Sequence, residues 1–138
     1  MRYFLFSSLF FLTALFLDNW ATAVGTNYFF AAEKEGNPVA VLAWELLGEW
    51  RWMASFLYAL TILGAGLFFG KIKTFLGIWW FSSFGTGHII GFLSWQGIYI
   101  LPFVNSNSFS LALLIFISAA AGFFLALLLK NIPPHFYL

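Results

Sequence analysis

Residues 15–38 read L-F-L-D-N-W-A-T-A-V-G-T-N-Y-F-F-A-A-E-K-E-G-N-P. The stretch begins as the end of an apolar helix and carries a carboxylate, Asp18, within it. It loses regularity around Gly25, Thr26 and Asn27 and closes on the turn Glu35-Gly36-Asn37-Pro38. An acid inside an otherwise lipid-compatible helix is costly in a bilayer, so it marks a place where polar chemistry or polar packing is required. The rest of the chain reads as packing around that acid.

Composition sets the class. Of 138 residues, 62% are hydrophobic and only 8% are charged, and the mean hydropathy is +0.92, whereas charged residues make up about 25% of an ordinary soluble domain. The chain reads as an integral membrane protein, and its 20 Phe and 7 Trp suit lipid-facing surface and the headgroup level. A net charge of +1 from six Lys and Arg cannot build the basic stripe that nucleic acid needs. With no cysteine, disulfides, thiolate metal sites and iron–sulfur clusters are excluded.

Arg2, the apolar run after it and Ala21-Thr22-Ala23 have the arrangement of a leader peptide with an A-x-A cleavage site. The run is nevertheless long enough to span, and residues 3–24 are expected to form the first transmembrane helix, since 22 or so residues at about 1.5 Å each match a core of roughly 30 Å. Asn37 is a good N-cap and Pro38 suits a first helical position, which predicts a short helix over 38–48 ending at Gly48. Ten residues reach only about 15 Å, so this helix belongs at the interface, where Trp44, Trp50 and Trp52 fit an aromatic belt. Further spans are expected at 52–70, 74–98 and 109–129, separated by the turn Lys71-Ile72-Lys73 and by an uncharged loop with Pro102 and Asn105. The expected architecture is all-α: one transmembrane domain over 1–138, a four-helix antiparallel bundle with a short interfacial helix between spans 1 and 2. Arg2, Lys71, Lys73 and Lys130 fall on one side and Lys34 and Arg51 on the other. The excess of positive charge places both termini in the cytoplasm and the protein in the cell membrane, multi-pass.

Helix rise then allows depth to be compared. Asp18 lies about 9 Å from the outer end of the first span, and Tyr58 a similar distance into the second. His88 in the third and Ser118 in the fourth fall in the same outer-leaflet layer, and Thr22 and Thr61 sit one turn from Asp18 and Tyr58. These six residues are the expected ligand-binding constellation. Gly87, Gly91 and Ser83 form a small-residue face beside His88, which turns the imidazole into the bundle. Against this, Tyr58, Thr61 and Ser118 each have a bland reading as helix-to-helix hydrogen bonds worth under about 1 kcal/mol.

Carboxylate plus imidazole is the commonest start of a metal site or a proton relay. If the breaks at Gly25 and Gly36 fold the loop over the mouth of the bundle, Glu35 and Glu45 join Asp18 and His88 as ligands for a divalent metal such as Zn²⁺. The alternative reading of both glutamates is a solvated interfacial face. Asp18 and His88 are also the candidate catalytic acid and base, although H-E-x-x-H and G-x-S-x-G are both absent.

The acid in the first span, the E-G-N-P turn and the short apolar helix that follows resemble a family of small prokaryotic polytopic membrane proteins without an assigned function. The resemblance covers roughly residues 10–70, through Asp18, Glu35, Asn37 and Pro38, and this chain lacks the Lys expected within the second span. It implies the fold, and it implies that Asn37 and Pro38 are turn residues rather than ligands. Three functions follow: a bundle whose Asp18/His88 pocket binds a metal ion, a proton or a small lipid-like ligand; an accessory subunit of a larger membrane complex or a homo-oligomer; and an intramembrane lipid hydrolase or isomerase.

Overall fold

A computed structural model describes residues 2–25, 38–50, 53–97 and 108–131, and among these described residues the regular structure is all helical, with no strand. Five α-helices follow in order: α1 (Arg2–Gly25), α2 (Pro38–Leu47), α3 (Met53–Ile72), α4 (Thr74–Trp95) and α5 (Ser108–Asn131), with a 3-10 turn at Gly48–Trp50 before α3. Three helices, α1, α3 and the Ala112–Asn131 part of α5, are long and apolar enough to cross a membrane. Helix α4 has 22 residues but is less apolar, because Gly77, Ser83, Gly85, Gly87, His88 and Gly91 stand at contacts with other helices. The outside of the bundle is the reverse, with Phe16, Trp20, Phe56, Phe68, Phe116 and Phe124 all exposed. Water penalises so much apolar surface and lipid does not.

Local chemistry explains the boundaries. Helix α2 starts at Pro38, where the missing N–H and fixed φ of proline cost nothing, and stops where Gly48 takes a φ of +54°. Asn37, the expected cap, lies outside the described residues. Helix α4 ends at Trp95, three residues before the expected boundary, because Gly97 adopts a φ of +76° and donates its N–H to the Ser94 carbonyl at 3.0 Å. The turn at Lys71-Ile72-Lys73 is tighter than its sequence suggested. Lys73 is the sole non-helical residue between α3 and α4, extended at φ −157° and ψ 120°, so the two helices fold back directly on each other. Trp44 also departs from expectation, its side chain being buried rather than set in an exposed belt, while Trp50 is exposed.

Helix α4 is the hub, packed against α1, α3 and α5. Successive long helices run in opposite directions: α3 meets α4 from Tyr58/His88 to Gly70/Gly77, and α4 meets α5 from Phe75/Phe123 to Gly87/Ser118. The most extensive packing, however, joins α1 to α4, and these two run parallel. The expectation of antiparallel neighbours therefore fails at the largest interface, because two helices separated by one antiparallel partner point the same way and here lie side by side.

The sequence of α1 shows why they fit. Phe4, Ser7, Phe11, Ala14, Asp18, Ala21 and Gly25 repeat at alternating steps of three and four, the spacing that keeps one seam facing a partner helix. Bulky residues of one helix face glycines of the other. Phe4 lies over Gly77, Phe10 and Phe11 over Gly85, and Trp95 of α4 over Gly25. A Cβ at Gly85 would stand 3.3 Å from the Phe11 backbone, so the approach of the helices depends on the missing side chain. Phe11 and Phe81 are fully buried there, with Leu15 and Ile62 completing the cluster. Two indoles tie the other helices to α4: Trp80 Nε1 donates to the Ile62 carbonyl of α3 at 3.0 Å, and Trp79 Nε1 to the Ala119 carbonyl of α5 at 2.9 Å.

Candidate functional site

Two turns beyond Phe11 the same seam becomes polar. Asp18 occupies the seam position seven residues after Phe11 on α1, and across from it α4 offers no side chain at Gly91, where a Cβ would stand 2.7 and 2.8 Å from the two carboxylate oxygens. Gly91 thus makes the space in which the carboxylate sits. His88, one turn earlier on α4, brings Nδ1 to 2.7 Å from Asp18 Oδ2. On its far side His88 Nε2 lies 3.2 Å from the Tyr58 hydroxyl of α3, with the two rings edge to face at a 5.4 Å centroid separation. Three helices therefore contribute to one chain of carboxylate, imidazole and phenol. The Phe11 ring closes one side at 6.0 Å from the imidazole. The site is sheltered but not sealed, as His88 and Asp18 keep 18% and 20% of their side-chain surface exposed.

Proton placement follows from donor counting. A tyrosine hydroxyl both donates and accepts, and a neutral imidazole offers one donor and one acceptor. With His88 neutral, Nδ1–H donates to Asp18 and the Tyr58 hydroxyl donates to Nε2. With an added proton, Nε2–H donates to the Tyr58 oxygen instead. Both hydrogen bonds survive in both states.

Beside this chain lies a second polar contact that sequence reading passed over. Asn19 donates from Nδ2 to the Leu15 carbonyl at 2.9 Å and accepts from the Ser55 hydroxyl at 2.5 Å, joining α1 to α3 at the level of Asp18. The signal was present, because Asn19 adjoins Asp18 and Ser55 stands one turn before Tyr58 on the same face.

The other expected residues distribute differently. Thr22 is buried one turn above Asp18. Thr61 does not join the site: it is exposed and donates to the Leu57 carbonyl of its own helix at 2.9 Å. Ser118 is buried on α5 against Gly87, a neighbouring face of α4 from that of His88, and among the described residues its Oγ has no hydrogen-bond partner. The small-residue face itself divides. Ser83 and Gly87 meet α5 at Gly122 and Ser118, while Gly91 meets α1, because a row of residues four apart winds around the helix rather than along it.

Of the expected metal set, Asp18 and His88 stand together among the described residues. Among the described residues no three His, Cys, Asp or Glu side chains converge; Glu45 is exposed on α2, and Glu35 lies outside the described residues. Asp18 and His88 remain, but both imidazole nitrogens already face protein oxygens.

No protein-family model matches the chain, and no curated protein or solved structure matches it either.

Proposed function

We propose that this chain is a multi-pass membrane protein, with α1, α3, α4 and α5 crossing the bilayer as a four-helix bundle and α2 lying at the outer interface, which holds one exchangeable proton on Asp18, His88 and Tyr58. Both termini are on the cytoplasmic side, following the excess of positive charge at that end. The observation that carries the reading is the 2.7 Å and 3.2 Å engagement of the two imidazole nitrogens by a carboxylate and a phenol. A chain of this kind gains or loses a proton without breaking a hydrogen bond, as a relay or proton-linked binding site requires.

The test is a pH titration of the full-length protein in lipid nanodiscs, followed by infrared difference spectroscopy on a His135→Gln background so that His88 is the imidazole observed. Carboxylate, imidazole and phenol bands are expected to change together in one step, and Asp18→Asn should abolish that step. An imidazole that titrates identically with and without the Asp18 carboxylate would sink the proposal.

A second reading is supported by the order of the groups. Carboxylate, imidazole and hydroxyl in series is also the arrangement of an activated nucleophile, with the Tyr58 oxygen as the attacking atom and His88 as its base. Ester-lipid turnover in the same nanodiscs that is lost in Tyr58→Phe would favour this hydrolytic reading over proton exchange alone.

A further inference from the structure

At the end of the bundle opposite the 3-10 turn, an open cleft of about 280 Å³ is lined by Phe4, Leu67, Gly70, Lys71 and Thr74. Three helices make it: the start of α1, the end of α3 and the start of α4. Its floor exists because Gly70 and Gly77 have no side chains, which lets the Phe4 ring settle over both. Its walls are apolar, and its rim carries an ammonium and a hydroxyl, both on exposed residues. The charge around it has one sign. Lys71, Lys73 and Lys130 lie at this end and, among the described residues, form no salt bridge. The described carboxylates are elsewhere: Asp18 is at the level of His88, and Glu45 and Glu49 precede Met53, at the far end of α3.

We infer that this cleft is a binding site for an anionic phospholipid of the adjacent leaflet, Lys71 and Thr74 taking the phosphate and Phe4, Leu67 and Gly70 the first part of an acyl chain. The amphipathic lining selects the occupant. A free phosphate would satisfy the rim and leave the apolar walls uncovered, and a neutral lipid would leave Lys71 uncompensated. The inference rests on the membrane-spanning placement but not on the proton chain. It also goes beyond the general attraction of a basic end for anionic lipid, worth about fivefold in affinity for each Lys near the surface, because it assigns one lysine to one cleft.

Native mass spectrometry tests it on the full-length protein released from nanodiscs of phosphatidylcholine with one-fifth phosphatidylglycerol. The wild type should retain one phosphatidylglycerol in preference to phosphatidylcholine. Lys71→Gln should lower that preference by more than the roughly fivefold expected of any Lys near the surface, while Lys130→Gln, the same charge change at the same end but outside the cleft, should lower it by no more than that. Equal losses in the two variants would reduce the effect to bulk electrostatics and overturn the site. Displacement of the lipid by millimolar inorganic phosphate would overturn it in favour of a free anion. A protein that fails to enter nanodiscs at all would instead defeat the membrane placement on which the inference rests.

Discussion

The two halves of the α1–α4 seam obey the same spacing rule and do different things with it. In the first half Phe11 and Phe81 are fully buried and each bulky ring faces a glycine or another ring. In the second half, at the same repeat, Asp18 faces Gly91 and His88, and about a fifth of each polar side chain stays exposed. The apolar half holds the helices in register. The polar half uses that register to bring a carboxylate, an imidazole and a phenol from three helices within hydrogen-bond reach. In lipid there is little hydrophobic gain from packing two apolar helices, so close approach through glycine has to supply the attraction. That approach leaves room for a carboxylate where a side chain would otherwise stand.

Substitutions can separate the halves. The largest effect is expected from Gly85→Leu, because the new side chain meets the Phe10 ring and the Phe11 backbone; overpacking of this kind costs up to about 3 kcal/mol. Thermal unfolding in detergent should show it, and an unchanged midpoint would mean that α1 and α4 do not interlock there. Gly91→Ala should cost less, about 1–2 kcal/mol, but should push the Asp18 carboxylate off His88. The double variant with Asp18→Ala should recover most of that stability, since the added methyl then has the space the carboxylate left; failure to recover would mean that Gly91 matters for some other reason. Ser55→Ala removes the bond to Asn19 and should cost about 0.6 kcal/mol, the usual worth of a hydrogen bond between membrane helices. Thr61→Val should change stability by less than about 0.5 kcal/mol and leave the site untouched, because that hydroxyl serves its own helix.

The contrast also explains what the sequence disclosed. Counting residues from the helix ends puts Asp18, Tyr58 and His88 at one height, together with Thr22, Thr61 and Ser118, and the short turn at Lys73 fixes the register of α3 against α4. Counting gives height but not rotation about the helix axis. In a soluble bundle, rotation is read from the apolar stripe; here apolar residues run all round each long helix, and that signal is missing. Thr61 and Ser118 therefore looked equivalent to Tyr58 and His88, yet one points outward and the other, on α5, lies against Gly87 of α4. The parallel pairing of α1 with α4 was likewise hidden, although the steps of three and four from Phe4 to Gly25 carry it. The grouping of Glu35 and Glu45 with the site depended on a loop path that residue spacing does not determine.

Asp18, His88 and Tyr58 form one hydrogen-bonded chain, which nitrogen NMR of the protein in nanodiscs reads at its middle member. The chain has 2 His, so ¹⁵N-histidine labelling on a His135→Gln background leaves His88 as the imidazole observed. Asp18→Asn should shift chiefly the Nδ1 resonance, and Tyr58→Phe chiefly Nε2. Two ring nitrogens indifferent to both substitutions would contradict the account.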